Sequence, residues 1–527
     1  MKKISYLLAI CAIAVMSLTT SCEKKLDVDQ HGVTPMSDFY KTDAQCEGAI
    51  ASLYHRWIQI FMQFDYITNL MSDDCYAGDA ARGSNKAIEE LNEFTYDPSN
   101  NWILQLYQYL YQVNYRANVI LDNMGEPDTP VKRQIASECH FFRGWTHFYL
   151  AALWGTPPVV DHVLTQEEYS IPNSDKATLW AFIENEFKTA AEGSLPSKAN
   201  ANDVVVRVTK EAALSMLGKA YVFEEKWAEA RTTLDGVINS GKYALYDVGG
   251  TDYENIILQS TEFNCESILE ANVVEDPSNR IGGWPSCVEI VYGWRKALMH
   301  IEPGKGLAVE QAFGIGTPRH ALYDAFVERE GVDGYRLNST LKTYDQIKAD
   351  GHYILPGVTI EQHDGIFIWK MRADANSLYY DGVWRGESSH NNRHYMRYAE
   401  VLLLAAEAHL HGGEASKAAE YVNAIRERAK LPALASVTMD DVKIEKRLEL
   451  CFEHVRYMDL VRWGDAPTAL GTQGRVIGTF SSDGVWEPDH AAFSNPQGGF
   501  RAGKNELLPF PRLELISNRA MVQNPGY

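Results

Sequence analysis

The chain has 527 residues, 45% of them hydrophobic and 23% charged, with 12 Trp, 28 Tyr and 19 Phe, a composition that belongs to ordered globular proteins and leaves no room for a disordered chain. Its formal charge is −21, and no basic run follows the leader, which argues against nucleic acid as a partner because phosphate binding needs a concentrated basic face. The length exceeds what one small core requires, so either two or three domains or a helical repeat is expected.

The amino terminus reads as an export signal: Lys2-Lys3, an apolar run from Ile4 to Leu18, then Ser21-Cys22. That run is too short for a comfortable transmembrane helix, and no later stretch approaches the ~20 apolar residues a bilayer requires. Cys22 resembles the lipidated cysteine of bacterial lipoproteins, so residues 1–21 are expected to be a lipoprotein signal peptide and Cys22 the lipidation site. The alternative is an ordinary secreted protein with Cys22 as a spare thiol. Residues 22–35, polar and aperiodic, read as a tether, and residues 36–527 as a single mainly α domain. Cys46, Cys75, Cys139, Cys265, Cys287 and Cys451 lie beyond it without CxxC spacing, so neither a zinc site nor a thioredoxin-like site is indicated. Cys139 and Cys451 sit in helical apolar patterns and read as buried thiols, while a bridge from Cys75 is left open.

The first helix is predicted over 43–61. A loop-rich stretch, 72–100, follows and holds Asp73, Asp74, Tyr76, Gly78, Arg82 and Gly83; loops of that length in a compact protein are often functional. Helices are predicted over 102–124 and 131–153, with Trp154-Gly155-Thr156-Pro157-Pro158 as a stop, and over 177–192. In 214–238, Leu214, Leu217, Gly218, Tyr221, Ala230 and Leu234 fall at the spacing of a tetratricopeptide repeat, whose small residues let two helices approach closely. A generic αα-hairpin is the plainer reading. Either one must stack on neighbours, because one hairpin cannot bury its own apolar faces.

Helices thus fill about 43–240. From about 243 to 390 the period is lost in a region dense in Gly, Trp and Tyr, with short strands such as 267–274 and brief apolar runs such as 365–369. Helical order is predicted to return at Asn392 and continue to about 464. Within it, 395–429 forms a second hairpin, broken at Gly412-Gly413, in which Ala406 and Ala418 take the places of Gly218 and Ala230. In 444–463, Glu445, Glu449, Glu453, Arg456, Asp459 and Arg462 fall at three- and four-residue separations, which predicts a ladder of ion pairs along one helix. The tail, 506–527, with Pro509, Pro511 and Pro525, reads as ordered loop laid across the helices.

These residues carry a resemblance. RYAEVLLLAAEA at 397–408, NAIRERA at 423–429, the pattern of Phe452, Glu453, Arg456, Asp459, Leu460, Arg462, Trp463 and Gly464, and the ending LLPFPRLEL with NPGY resemble the SusD/RagB family of outer-membrane nutrient-binding lipoproteins of Bacteroidota. The leader and the 143–158 stretch agree with it. Two departures are His454, where the family usually has glycine, and Tyr457, where it often has tryptophan. The resemblance implies a scaffold of tetratricopeptide-like helical hairpins with a loop-rich face. It also implies a surface-exposed, lipid-anchored, non-catalytic protein that captures an oligosaccharide or polysaccharide and passes it to a SusC-like TonB-dependent transporter in the outer membrane.

The residues make their own case for a glycan. A sugar ring offers an apolar C–H face ringed by hydroxyls, so proteins hold it with stacked aromatic side chains and a few hydrogen-bonding groups. Trp284, Tyr292 and Trp294 lie in a Gly-rich irregular stretch, and Tyr76 lies beside Asp73, Asp74 and Arg82; these are the candidate ligand contacts. Tyr379, Tyr380 and Trp384 form a further group, and Trp102, at a helix start, is a weaker candidate. For any single aromatic, core packing is the competing reading. The family draws its ligand aromatics from the early loop and the irregular half, which favours Tyr76 and Trp284.

Enzymatic signatures are missing: no Walker A, no GxSxG, no HExxH, and no identifiable pair of opposed carboxylates for a glycosidase. His409 and His411, two residues apart at a helix end, diverge, and His390 and His394 share a face only if a helix begins early, so neither a metal nor a cofactor is expected. Peptide or another non-glycan nutrient on the same architecture, a scaffold for protein assembly, and a hydrolase are the competing readings.

Overall fold

The computed structural model describes residues 39–273, 291–302, 312–372, 378–380, 385–389 and 391–527. The leader, Cys22, the whole tether, Trp284, Cys287, Trp384 and His390 lie outside them.

The amino-terminal half is helical. α1 (Asp43–Ile58) starts from a capping box in which Thr42 and Gln45 satisfy each other's backbone N–H groups. It is followed by α2 (Phe61–Thr68), the short α3 (Lys86–Asn92), α4 (Asn101–Met124), α5 (Pro130–Trp154), α6 (Lys176–Glu192), α7 (Lys210–Phe223) and α8 (Trp227–Ile238). The side chains of Asn100, Thr129, Asp175 and Thr209 cap α4 to α7, and Pro130 occupies the first turn of α5. Where one helix was predicted over 43–61, the chain turns at Gln59-Ile60. The reason is burial: α1 has one apolar face, whereas seven of the eight residues of α2 are buried, so α2 must turn into the core.

Helices α4 to α8 pack as successive neighbours. In the α7–α8 hairpin Gly218 faces Leu234: a Cβ there would stand 2.4 Å from Leu234 Cδ2, so only glycine admits α8 at this distance. The second hairpin is α12 (Tyr398–His411) and α13 (Ala415–Arg428), with Ala406 and Ala418 fully buried. It docks against the first through α8 and α12. At that seam Asp235 accepts from the Tyr421 hydroxyl at 2.6 Å and pairs with His409 Nε2 at 3.0 Å, and Trp227 stacks on His411 with ring centres 4.0 Å apart. Lys219 and Glu400, both buried, pair at 2.8 Å across α7 and α12.

Among its described residues, the region expected to be irregular contains helices that periodicity missed: α9 (His320–Glu330), α10 (Tyr335–Thr340) and α11 (Tyr344–Ala349). Its strands are short and antiparallel: β1 (Ser267–Ala271), β2 (Met299–His300), β3 (Leu341–Thr343), β4 (Tyr353–Ile354), β5 (Thr359–Glu361), β6 (Ile366–Ile368), β7 (Leu378–Tyr380) and β8 (Arg385–Ser389). β2 pairs with β4, β3 with β6, and β7 with β8.

Two expectations need correction. The residues after Asn392 begin as a strand, β9 (Arg393–Arg397), and helix starts only at Tyr398. β9 pairs with β1, Leu269 opposite Met396 and Ala271 opposite Arg393, and this distant partner outweighs local helical preference. The 444–463 stretch is not one helix either. α14 (Met439–Leu450) ends before Phe452 and His454, whose φ angles of 65° and 69° are left-handed, and α15 (Arg456–Arg462) resumes the chain. The family's usual glycine at position 454 fits that conformation.

The predicted charge ladder is therefore mostly tertiary. Arg336 reaches Glu330, Glu445 and Glu449 at 2.7, 2.9 and 3.3 Å, Arg397 reaches Glu449 and Glu453 at 3.1 and 2.6 Å, and Lys370 pairs with Glu453. Only Asp459 with Arg462, at 2.8 Å, keeps the within-helix spacing. After α16 (Ala466–Ala469), β10 (Thr479–Ser481) joins β5 to β11 (Trp486–Glu487), and the tail carries one short helix, α17 (Arg512–Ser517). The tail lies against α5, with Trp154 Nε1 donating to the Pro509 carbonyl at 2.9 Å and Asn524 Nδ2 to the Trp154 carbonyl at 2.9 Å.

One hydrophobic cluster runs from Cys46 on α1 to Met521 in the tail. A smaller one, around Trp294, Met299, Tyr344, Phe367 and Phe480, underlies the irregular region. Cys139 and Cys451 are buried thiols as expected, and Cys75 is also a free, buried cysteine.

Candidate functional site

The early loop is tied down by its own charges. Asp73 accepts from Arg456 Nε and Nη2 at 2.7 and 2.8 Å and lies 3.3 Å from Arg447, whose Nε donates to Asp74 at 2.7 Å. Burial works against the Asp73 charge, but the Arg447 and Arg456 guanidiniums outweigh it and hold the carboxyl down to about 2. Asp74, wholly enclosed, is instead raised by burial. Arg82 pairs with Glu89 at 3.3 Å and with Glu93.

The predicted aromatics are enclosed as well. Tyr76 is 3% exposed; its hydroxyl donates to Asp364 and accepts from Gly478 N at 3.1 Å, with Arg319 4.7 Å above its ring. Burial pushes its hydroxyl up to about 12. Tyr292, also 3% exposed, accepts from Asn69 Nδ2 at 2.9 Å beside Asp65, whose carboxyl burial raises to about 7. Trp294 packs on Phe367 and His352, ring centres 5.3 Å away in each case. Tyr292 and Trp294 border a cavity of about 30 Å³, room for little more than a water molecule. Asp73, Asp74, Tyr76 and Arg82 do not line that cavity, and Trp284 falls outside the described residues.

A larger cleft, of about 540 Å³, opens beside them. Its walls come from the α1–α2 turn, the first three turns of α4, the early loop at Asp79 and Asn85, and the irregular region at Arg295, Phe313 and Ile315.

Trp102 and Tyr109, seven residues apart on α4, lie two turns apart along one face. Trp102 meets Tyr66 edge to face at 4.7 Å, and the Arg56 guanidinium lies 3.5 Å from the centre of the Tyr109 ring. The side-chain amides of Gln63 and Gln105 meet at 3.0 Å, and Arg295 pairs with Asp79 at 2.8 Å. Partly exposed aromatic faces, amides and guanidinium groups around a concave space are the means by which a protein holds a polyhydroxylated ring. The volume falls in the range of small-ligand sites.

Among the described residues, Trp102 is the one sequence candidate that lines this cleft. Tyr109 and Arg56 were missed, since an aromatic or an arginine within a regular helix carries no signal until the facing helix is known. Among the described residues no group of three His, Cys, Asp or Glu is placed to hold a metal ion, and no helix is long and apolar enough to cross a membrane.

Comparison with known proteins points one way. A model of the SusD family matches residues 332–527, and a model described as starch-binding associating with outer membrane matches residues 32–222. SusD-like protein P2 of Formosa agariphila is 25% identical over 97% of this chain and 98% of its own length. A SusD-like protein of Bacteroides ovatus is 24% identical over 87% of this chain and 82% of its own. Among solved structures, a laminarin-binding SusD-like protein superposes with a TM-score of 0.75 at 24% identity, covering 93% of this chain and all of that one. Surface glycan-binding protein A from Bacteroides thetaiotaomicron, in complex with laminarihexaose, superposes with a TM-score of 0.72 at 20% identity, covering 92% of this chain and all of that one. At these identities the superpositions speak for the fold.

Proposed function

We infer that this chain, which belongs to the SusD/RagB family of Bacteroidota, is a non-catalytic glycan-binding protein associated with the outer membrane. The observation that carries the reading is the cleft of about 540 Å³ with Trp102 and Tyr109 on one helix face and amide and guanidinium groups around them. Sugar rings lie along that face, their C–H sides on the aromatic rings and their hydroxyls on Gln63, Gln105, Asn85 and Asp79. The glycan-binding names of the structural neighbours support the same reading.

In this reading Asp73, Asp74, Arg82, Tyr76, Tyr292 and Trp294 hold the wall of the cleft in place. Cys22 carries the lipid anchor, Trp284 remains a candidate contact, and a TonB-dependent transporter receives the captured oligosaccharide.

Electrophoresis through native gels containing individual polysaccharides tests this. The protein is expected to be retarded in at least one gel without depolymerising the polymer, and Trp102→Ala to bind at least about fivefold more weakly, a stacked ring being worth about 1–3 kcal/mol. Unretarded migration in every gel, or depolymerisation, overturns the reading.

A further inference from the structure

We propose that the cleft takes an anionic glycan, one whose sugars carry carboxylate or sulfate groups, and that Arg56, supported by Arg116, receives the charge. The proposal rests on the reading of the cleft as a glycan site and goes beyond it to the class of sugar.

Arg336, Arg397, Arg428, Arg447, Arg456 and Arg462 lie against carboxylates, whereas Arg319 and Arg475 donate to the neutral oxygens of Gln473 and Gly498. A chain with 70 acidic residues and 49 basic ones has acid to spare. Among the described residues Arg56 nonetheless has no carboxylate partner: its Nη1 donates to Gln59 Oε1 at 2.7 Å, and its buried Nε has no hydrogen-bond partner there. Its plane is held over the Tyr109 ring, which orients the fork without neutralising it.

Arg116 stands in the same position. It lies on α4 two turns beyond Tyr109, donating from Nε to Ser52 Oγ and from Nη1 to the Gln112 carbonyl, both at 3.3 Å. Burial and the neighbouring Arg56 charge both hold its guanidinium below the ordinary value. Arg116 reaches Ser52, one turn before Arg56 on α1, so both guanidiniums lie along the α1–α4 seam, and among the described residues neither has a carboxylate partner; a bound anion there would meet two positive groups.

The rest of the cleft adds no compensating acid. Among the described lining residues Asp79 is the one carboxylate, and Arg295 already occupies it at 2.8 Å. Donors are in surplus, and a planar guanidinium matches the paired oxygens of a carboxylate or sulfate. A neutral sugar, whose hydroxyls both donate and accept, has no need of that surplus.

The test is calorimetric titration of the full chain with polygalacturonate, which carries carboxylates, with carrageenan, which carries sulfate esters, and with a neutral β-glucan. Binding to one of the anionic polymers is expected, and the one that binds identifies which group the site takes. That binding should weaken as salt rises from about 0.05 to about 0.5 M, as screening of a charge contact requires. Arg56→Gln should weaken it at least about tenfold, Arg116→Gln less, and Arg56→Lys should retain part of it. If Arg56→Gln fails to fold, Arg116→Gln carries the test. Binding of the neutral glucan alone, or anionic binding that neither glutamine variant changes, overturns the proposal while leaving the glycan reading intact. Binding of none of the three overturns it together with that reading.

Discussion

Gly218 shows how much a single atom decides in this scaffold. With Leu234 Cδ2 only 2.4 Å from where a Cβ would lie, Gly218→Ala must push α8 off α7 or force Leu234 from its rotamer. The expected cost is about 1–3 kcal/mol, read as a lowered urea midpoint with unchanged slope. This residue was legible in the sequence, because repeat spacing identifies both the glycine and the helix it faces. The candidate contacts were not equally legible. Their residue types and their place in loops could be read, but Tyr76 and Tyr292 bury their rings and turn their hydroxyls to Asp364 and Asn69, partners 288 and 223 residues away. Arg56 illustrates the converse: its meaning lies in the lack of a carboxylate opposite it, which only the packed α4 face reveals.

At the scale of elements, caps and stops carried most of the helix boundaries. Thr438 opens α14 with a capping box, accepting from Asp441 N at 3.3 Å while the Asp441 carboxylate takes the Thr438 N–H at 3.0 Å. Thr438→Ala should therefore cost about 1 kcal/mol in a thermal or chemical melt, and Thr438→Ser almost nothing. Besides α9, α10 and α11 of the irregular region, two features that escaped the sequence are made by distant partners. β9 exists because β1 lies beside it, and the break between α14 and α15 exists because the Asn69 side chain accepts the His454 N–H at 2.8 Å and donates to the Phe452 carbonyl at 3.0 Å. Local periodicity has no access to either.

Across the whole molecule the dominant polar feature is the enclosed network of Glu266, Glu445, Glu449 and Glu453 with Arg336, Arg397, Arg428 and Lys370, which ties β1, β9, α10, α13 and α14 together. Burial raises the Glu453 carboxyl, but Arg397 and Lys370 outweigh it and hold the group down to about 2; Glu449 is held lower still by Arg428, Arg397 and Arg336. A carboxyl depressed in the folded state contributes stability above its unfolded value, about 4.3, and that stability is lost as pH falls toward 2. Glu453→Gln is accordingly expected to destabilise the protein by about 3–5 kcal/mol at pH 7, with the difference from the native chain shrinking in melts taken from pH 5 downward. A difference that stays constant across that window would show that the charge of Glu453 does not hold the network.

What the sequence by itself determined is the helical scaffold, its two small-residue hairpins, the loop-rich region between them and the family, because those follow from periodicity, capping and motif order within short stretches of chain. What only the tertiary structure decided is which aromatics stay open and which arginines stay unpaired. Burial and charge balance are properties of surfaces brought together from distant positions: Arg56 and Tyr109 become one site only when α1 and α4 pack and the chain turns at Gln59-Ile60.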